Sequence, residues 1–330
     1  MIVTKSGLRT AGKKAILLVL LQVLWTTGFS QSLSLKNLGD VFQCTNLDVR
    51  WEAPTNALPR TVWIYRLLPR KLSSEAISNL TVLCGFTESD RKISNADEVV
   101  YKNADQFPSK QLEISSSHGS IFYVTVIHYG PTNLAKDVPK MSQLPELTTN
   151  FLSMLGIDLS EIEKSTNGVP NFHFWEPLTK YYVNHSSITN ITFRAVGFRR
   201  SVNGGGFLGA GTGGDGQVEF GEQGKPVKID LSWRSLERYK SYPAATTETL
   251  IKRIREGGAV QCPIPDNFGV IDWQTVKSLT VWKAQLCYYA GDRFNPSDWA
   301  MPLVSLWTTV DTGHGNVDME IDCPIIDETK

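Results

Sequence analysis

Residues 191–260 limit the fold of this chain more than any other stretch, because strand and helix patterns follow one another most clearly there. They predict a strand, a glycine-rich connection, two strands around a turn, and a helix that begins near Thr246 and is closed by glycines. In the last of these strands Ile229, Leu231 and Trp233 alternate with polar residues, which predicts one buried face and one solvated face. The stretch therefore has to pack a sheet and a helix around a common core.

Further strands and helices are predicted on both sides of this stretch. Apolar residues at helical spacing behind Ser73 or Ser74 predict a capped helix that stops at Gly85. Another helix is predicted at 144–155, and strands are predicted at 60–68, 98–101, 111–114, 120–128, 276–289, 299–310 and 317–322. Because helices lie beside antiparallel strands without regular βαβ alternation, we predict an α+β fold whose antiparallel sheets each carry one packed amphipathic helix.

The arrangement of these elements bears on the domain organisation. Three segments, 68–85, 144–156 and 242–258, share a proline, Ser or Thr caps, an apolar helix and a closing glycine. This similarity is explained either by a loose internal duplication or by the residues that commonly begin and end helices. Prolines and a glycine at 129–143 place a boundary between a domain at 31–142 and a domain at 143–330. The glycine-rich segment 203–216 is expected to be a mobile loop whose removal leaves the fold intact.

The first 30 residues have the pattern of a signal peptide. Basic residues precede an apolar run of about eleven residues and a small-residue stretch, and that run is too short to span a bilayer. Four of the 33 basic residues and none of the 33 acidic ones lie in this segment, so the mature chain has a net charge of about −4. We predict a secreted or periplasmic protein with no nucleic-acid partner and no stable membrane anchor after cleavage.

Five cysteines follow the signal segment, and an exported compartment permits disulfides between them. The candidates are Cys44 with Cys84 and Cys262 with Cys323, which would keep each bridge within one half of the chain. An odd number leaves at least one thiol unpaired or paired with another chain. The chain has no C-x-x-C pair, so neither thioredoxin-type chemistry nor a zinc knuckle is expected.

Two short motifs match catalytic or cofactor-binding patterns, but the sequence around each of them does not fit such a site. The G-x-G-x-x-G pattern at 209–214 is followed by a predicted strand, whereas a dinucleotide site needs a helix there. The triplet that begins at Asp311 matches aspartic proteases, but it occurs once and fits a β-turn better. The histidines show no metal-ligand spacing. We therefore predict no catalytic residues, no metal and no cofactor.

Four tryptophans in the C-terminal third are the candidate contact residues. Trp273, Trp282, Trp299 and Trp307 either fill the core or form a surface that contacts a ligand or a protein. Exposed indole rings stack on sugars, so these residues favour carbohydrate binding or a glycan-active enzyme as the alternative function.

Residues 191–324 contain the strand ITFRAVGF, the helix TTETLIKRIREGG and the strands LTVWKAQLCYYAG, WAMPLVSLW and VDMEIDCP. In this combination they resemble extracytoplasmic bacterial proteins of the PepSY and YycH/YycI-like regulatory kind. This resemblance implies binding or inhibition of a partner protein rather than catalysis. The leading hypothesis is an exported non-catalytic binding or regulatory protein that acts on a protein or cell-envelope partner, with carbohydrate binding second and an aspartic-type hydrolase at Asp311 third.

Overall fold

The protein is mostly β-structure. The computed structural model describes residues 40–41, 47–54, 56–103, 108–183, 186–208, 214–261, 271–291 and 296–327. Strands make up 51% of the structure and helices 17%, so the prediction of an α+β fold with one helix for each sheet is wrong. The physical reason is that the strands at 173–175, 178–183, 186–191 and 235–243 consist largely of exposed residues and therefore lack apolar alternation. The predicted signal peptide lies outside the described residues.

The structure contains twenty strands and three α-helices in the part of the chain that it describes. The first ten strands are β1 (Asp40–Val41), β2 (Asp48–Trp51), β3 (Thr61–Leu68), β4 (Arg91–Ser94), β5 (Glu98–Asn103), β6 (Lys110–Ser115), β7 (Ser120–Thr125), β8 (His173–Trp175), β9 (Leu178–Val183) and β10 (Ser186–Ile191). The others are β11 (Arg194–Arg199), β12 (Ser201–Val202), β13 (Gly205–Leu208), β14 (Asp215–Phe220), β15 (Pro226–Ser232), β16 (Ser235–Pro243), β17 (Val260–Gln261), β18 (Ser278–Gly291), β19 (Pro296–Asp311) and β20 (Asn316–Pro324). The helices are α1 (Ser74–Leu83), α2 (Leu144–Met154) and α3 (Thr247–Arg255). None of these helices is both long enough and apolar enough to cross a membrane.

The strands form two many-stranded sheets, called the small sheet and the large sheet below, and a separate hairpin. The small sheet has eight antiparallel strands in the order β4-β5-β6-β7-β15-β14-β11-β8. The large sheet has ten strands, with β1-β17-β20-β19-β18-β13-β12 as its main path. Strands β3 and β16 join it at β19, and β2 pairs in parallel with β18. Strands β9 and β10 pair only with each other among the described strands.

The three predicted helices are confirmed, and their ends follow local chemistry. The Ser73 hydroxyl accepts a hydrogen bond from the backbone N–H of Ala76 (3.0 Å), which caps α1. The Thr246 hydroxyl caps α3 by accepting from the N–H of Thr249 (3.3 Å). Helices α1 and α2 are followed by Gly85 and Gly156, whose φ angles of 71° and 66° suit glycine. These signals depend on neighbouring residues, so the sequence displays them directly.

The small sheet and the large sheet each have a hydrophobic core of their own. In the small sheet, Leu112, Val218 and Ile229 pack with side chains of α1 and α2 such as Leu80 and Leu152. In the large sheet, residues of β18, β19 and β20 pack with Leu250 and Ile254 of α3. Both sheets combine strands from before and after residue 143, since β7 pairs with β15 and β3 pairs with β16. The predicted boundary between residues 142 and 143 therefore does not coincide with a boundary between the sheets.

A buried arginine lies where the chain passes from one sheet to the other. Arg200, which follows β11, is only 2% exposed and pairs with Glu161 at 2.7 Å. Its guanidinium also donates to the backbone oxygen of Arg234 (2.5 Å) and lies 5.1 Å from the ring centroid of Trp233 and 5.8 Å from that of Phe207. Burial lowers the pKa of Arg200 to about 10, although Glu161 acts in the opposite direction. These five residues are called the junction cluster below.

The glycine-rich segment is packed in part, which corrects the prediction of a mobile loop at 203–216. Four of its residues form β13, which pairs in parallel with β18, and Phe207 is 3% exposed. A Cβ atom at Gly205 would come within 2.8 Å of the Leu286 side chain, and one at Gly214 would come within 2.5 Å of Phe207. Residues 209–213 lie outside the described residues. Close packing therefore requires glycine at positions 205 and 214.

Candidate functional site

A groove of about 360 Å³ lies on the outer face of the small sheet, opposite α1 and α2. Its floor includes Val124, Glu219 and Lys228, which alternate along their strands with core residues such as Val218 and Ile229. Its sides are formed by 127–129, by the β9–β10 hairpin and by 192–193. Small-molecule sites typically have volumes of roughly 300–1,000 Å³ and combine apolar walls with a few placed polar groups.

The polar centre of the groove is an ion pair across two neighbouring strands. Glu219 of β14 is in register with Lys228 of β15, and their charged atoms are 3.7 Å apart. The side-chain amide of Gln217 donates to the same carboxylate at 2.7 Å. Burial raises the pKa of Glu219, while Lys228 and Gln217 oppose that shift. Because its side chain is only 12% exposed, this carboxylate is a partly desolvated acceptor that is already oriented.

Hydroxyl groups also line the groove. Tyr129, Thr179, Tyr181 and Thr192 all line the groove. Burial is the main cause that raises the pKa of Tyr129, and the nearby Glu222 raises it further. The Tyr129 phenol therefore stays neutral at physiological pH and can both donate and accept hydrogen bonds.

The β9–β10 hairpin forms one wall and is held at its base. Arg194 pairs with Glu176 at 2.5 Å and also donates to the backbone oxygen of Pro139. Thr179 and Tyr181 line the groove, whereas Lys180 and Tyr182, which alternate with them, are exposed. The hairpin thus presents one face to the groove and the other to solvent.

An exposed tryptophan extends the site along the same face of the sheet. Trp175 of β8 and Glu219 of β14 are both in register with Ala195 of β11, one on each side of it. The indole lies over Gly197, where a Cβ atom would approach its Cζ3 atom to 3.1 Å. Trp175 is 40% exposed. A flat aromatic surface therefore lies next to the groove, and it depends on the missing side chain of Gly197.

The four tryptophans predicted from the sequence do not line this groove. Trp282 is 45% exposed at a bulge in β18, and the Lys283 ammonium lies 4.0 Å from the ring centroid of Trp307. Trp299 packs edge-on against Tyr239, and the indole N–H of Trp273 donates to Gln261 (2.9 Å). Trp299 and Trp307 are eight positions apart in β19, which is roughly 26 Å at about 3.3 Å per residue. Trp299 therefore lies far from Trp307 along the large sheet, whereas Trp282 lies next to Trp307 in the register of β18 and β19.

The motif at Asp311 forms a turn. Asp311 ends β19, and its carboxylate accepts a hydrogen bond from the N–H of Gly313 (2.8 Å). The N–H of Thr312 donates to the oxygen of Gly315 (3.1 Å), and β20 follows. The predicted hairpin and the β-turn interpretation are confirmed. Among the described residues, no group of three or more His, Cys, Asp or Glu side chains could hold a metal ion.

Three of the five cysteines are buried free thiols. Cys84 lies in the core of the small sheet, and Cys287 and Cys323 lie in the large sheet. Burial raises the pKa of Cys84 and of Cys323 to about 12, and it raises that of Cys287 well above its ordinary value. Cys44 and Cys262 lie outside the described residues, so the two predicted disulfides stay predictions.

Alkylation tests the state of these thiols. At pH 8, Cys84, Cys287 and Cys323 should not react with iodoacetamide in the native protein, because a thiol with a raised pKa stays protonated and these three are inaccessible. After unfolding in urea without a reductant, all three should react, as peptide mass spectrometry would show. Modification of Cys84 or Cys323 only after reduction would instead show that the cysteine is held in a disulfide and would contradict the free thiols.

Comparisons with known proteins assign no family. No protein-family model matches the chain, and no curated protein matches its sequence. The resemblance to PepSY and YycH/YycI-like proteins therefore stays a prediction.

The sequence did not reveal the groove, because its lining comes from four separate segments. These segments are 124–129, 179–181, 192–193 and 219–228. Glu219 and Lys228 do occupy the polar positions of alternating strands, but the same pattern describes any solvated face. What makes this face a site is the hairpin beside it, and the strands of that hairpin lack the apolar alternation that would predict them.

Proposed function

We propose that this protein is an exported, non-catalytic binding protein and that the groove on the outer face of the small sheet is its ligand site. One observation carries the proposal: the oriented, partly desolvated Glu219–Lys228 pair lies in a concavity whose walls are held by strand pairing and by the Arg194–Glu176 ion pair. Its ligand would belong to a partner protein or to the cell envelope, in keeping with the export signal predicted at 1–30.

The composition of the groove supports binding over hydrolysis. Two-carboxylate hydrolysis of glycosides needs an acid and a second carboxylate that face each other across the substrate. Glu219 is the one carboxylate in the described lining, and it is already engaged by Gln217 and Lys228. Such a group is suited to accept a hydrogen bond from a ligand.

Filling the groove should abolish binding without unfolding the protein. Thr179 is exposed on the groove side of β9, so Thr179→Trp adds a large ring to the cavity and leaves the core untouched. A thermal-shift screen with amino acids, short peptides, neutral oligosaccharides, nucleotides and fatty acids provides the measurement. A ligand present at about 100 times its dissociation constant should raise the melting temperature of the parent by about 5 °C and should not raise that of the variant.

The matched control is Lys180→Trp, which adds the same ring to the neighbouring residue, on the opposite face of the hairpin. This variant should respond to the ligand as the parent does. The proposal fails if no compound class stabilises the parent, or if the stabilising class acts equally on Thr179→Trp.

A further inference from the structure

We infer that the groove and the neighbouring Trp175 together form a binding site for a neutral oligosaccharide. This inference rests on the proposed function, because it names the ligand class of the same site. It follows from the arrangement of polar side chains on the outer face, from the indole over Gly197 and from the sign of the local charge.

The polar side chains offer donors and acceptors side by side. On β14 the amide of Gln217 contacts the carboxylate of Glu219, and on β6 the amide of Gln111 contacts Glu113 in the same way. Lys228 stands beside Glu219 across the strand pair. A sugar presents neighbouring hydroxyls, each of which both donates and accepts, so one can donate to the carboxylate while the next accepts from the amide or the ammonium.

The aromatic surface supplies the apolar half of sugar recognition. A pyranose ring is polar at its edge and has C–H groups on its faces, and a flat exposed indole can cover such a face. The Trp175 ring has this orientation because Gly197 beneath it has no side chain. It lies two strands from Glu219, with β11 between them, and two strand separations are about 10 Å, so a ligand that spans both must contain more than one sugar ring.

Other occupants fit the site less well. A hydrocarbon chain would leave the Glu219–Lys228 pair facing apolar atoms, which costs free energy. An extended peptide that adds a strand needs a free sheet edge, but the groove floor consists of β7, β15 and β14, which are inner strands. A sugar needs no free backbone groups, and its hydroxyls can hydrogen-bond to the polar side chains that project from the face of the sheet.

The local charge favours a neutral sugar over an acidic one. On this face Glu113, Glu219 and Asp230 lie near the ammonium of Lys228, while Lys102 of β5 and Arg199 of β11 lie farther out on the same face. Three carboxylates against one ammonium make the immediate surroundings of Glu219 negative on balance, which disfavours a uronic acid or a phosphorylated sugar.

Isothermal titration with defined tetrasaccharides tests the inference. The probes are cellotetraose, chitotetraose and maltotetraose, with tetragalacturonic acid as the acidic comparison. At least one neutral probe should bind the parent, and Trp175→Ala should weaken it about tenfold or more, the size expected for one stacked ring. Gly197→Ala should weaken it less than Trp175→Ala does, because the new Cβ lies 3.1 Å from Cζ3 and shifts the indole by only a few tenths of an ångström.

The matched control is Phe174→Ala, which removes an exposed aromatic ring from the opposite face of the same strand. Its affinity should stay within about twofold of the parent. The inference is overturned if no neutral probe binds, if Trp175→Ala binds as the parent does, or if the acidic probe binds more tightly. A non-sugar compound whose stabilising effect is lost in Thr179→Trp would overturn the sugar assignment while leaving the proposed binding function in place.

Discussion

Replacing Arg200 by alanine is expected to lower the free energy of unfolding by about 3–5 kcal/mol. The substitution removes the partner of Glu161, the hydrogen bond to the oxygen of Arg234 and the cation that lies over Trp233 and Phe207. It also leaves a cavity at a position that is 2% exposed, where the two sheets meet. The Glu161 side chain is 37% exposed and can be rehydrated. Most of the loss should therefore come from the buried contacts of Arg200 with the oxygen of Arg234 and with the rings of Trp233 and Phe207.

Urea denaturation of the parent, Arg200→Ala and Arg199→Ala measures this effect. Arg199 is the exposed neighbour of Arg200, and its replacement should change the free energy of unfolding by no more than about 0.5 kcal/mol. Arg200→Met should lose less than Arg200→Ala, because the apolar chain refills the space without a buried charge. A loss below 1 kcal/mol for Arg200→Ala would show that the junction cluster does not hold the sheets together.

Replacing Phe207 by alanine is the second large effect, with an expected loss of about 3–5 kcal/mol. Phe207 is buried within the glycine-rich segment and stacks on Tyr288, with ring centroids 5.8 Å apart. Its strand β13 is short, so the ring is the main anchor of that segment to the large sheet. The deletion of 204–214, which the sequence predicts to be harmless, should for the same reason abolish cooperative unfolding.

Phe174→Ala is the control for Phe207→Ala, because it makes the same substitution at a residue that is 36% exposed. Its melting curve should lie close to that of the parent. If Phe207→Ala were equally mild, the glycine-rich segment would be the mobile loop that its composition predicts.

The sequence predicted the elements whose causes are local. Helix caps such as Ser73 and Thr246 and the turn after Asp311 act within a few residues, and each was identified correctly. Sheet composition depends on pairing between distant strands, and strand β16 is so exposed that it shows no apolar alternation. The fold class was therefore misjudged although most of its elements were found.

The candidate site was predicted less well than the fold. Tryptophan content directed attention to the large sheet, where Trp307 is covered by Lys283 and Trp299 by Tyr239. The tryptophan beside the groove, Trp175, differs from them only through its context, since Gly197 is its neighbour across the strand pair and not in sequence. Contacts of this kind become visible only when the register of the strands is known.

Hydrogen–deuterium exchange of the parent, with and without a saturating neutral tetrasaccharide, tests the central claim most directly. Because a bound ligand slows local opening, exchange should slow in β9, in β14 and at 126–129, where the groove is formed. Strands β18 to β20 should exchange at unchanged rates. Slowed exchange around Trp282 and Trp307, with no change in β9 and β14, would contradict the claim and move the binding site to the large sheet.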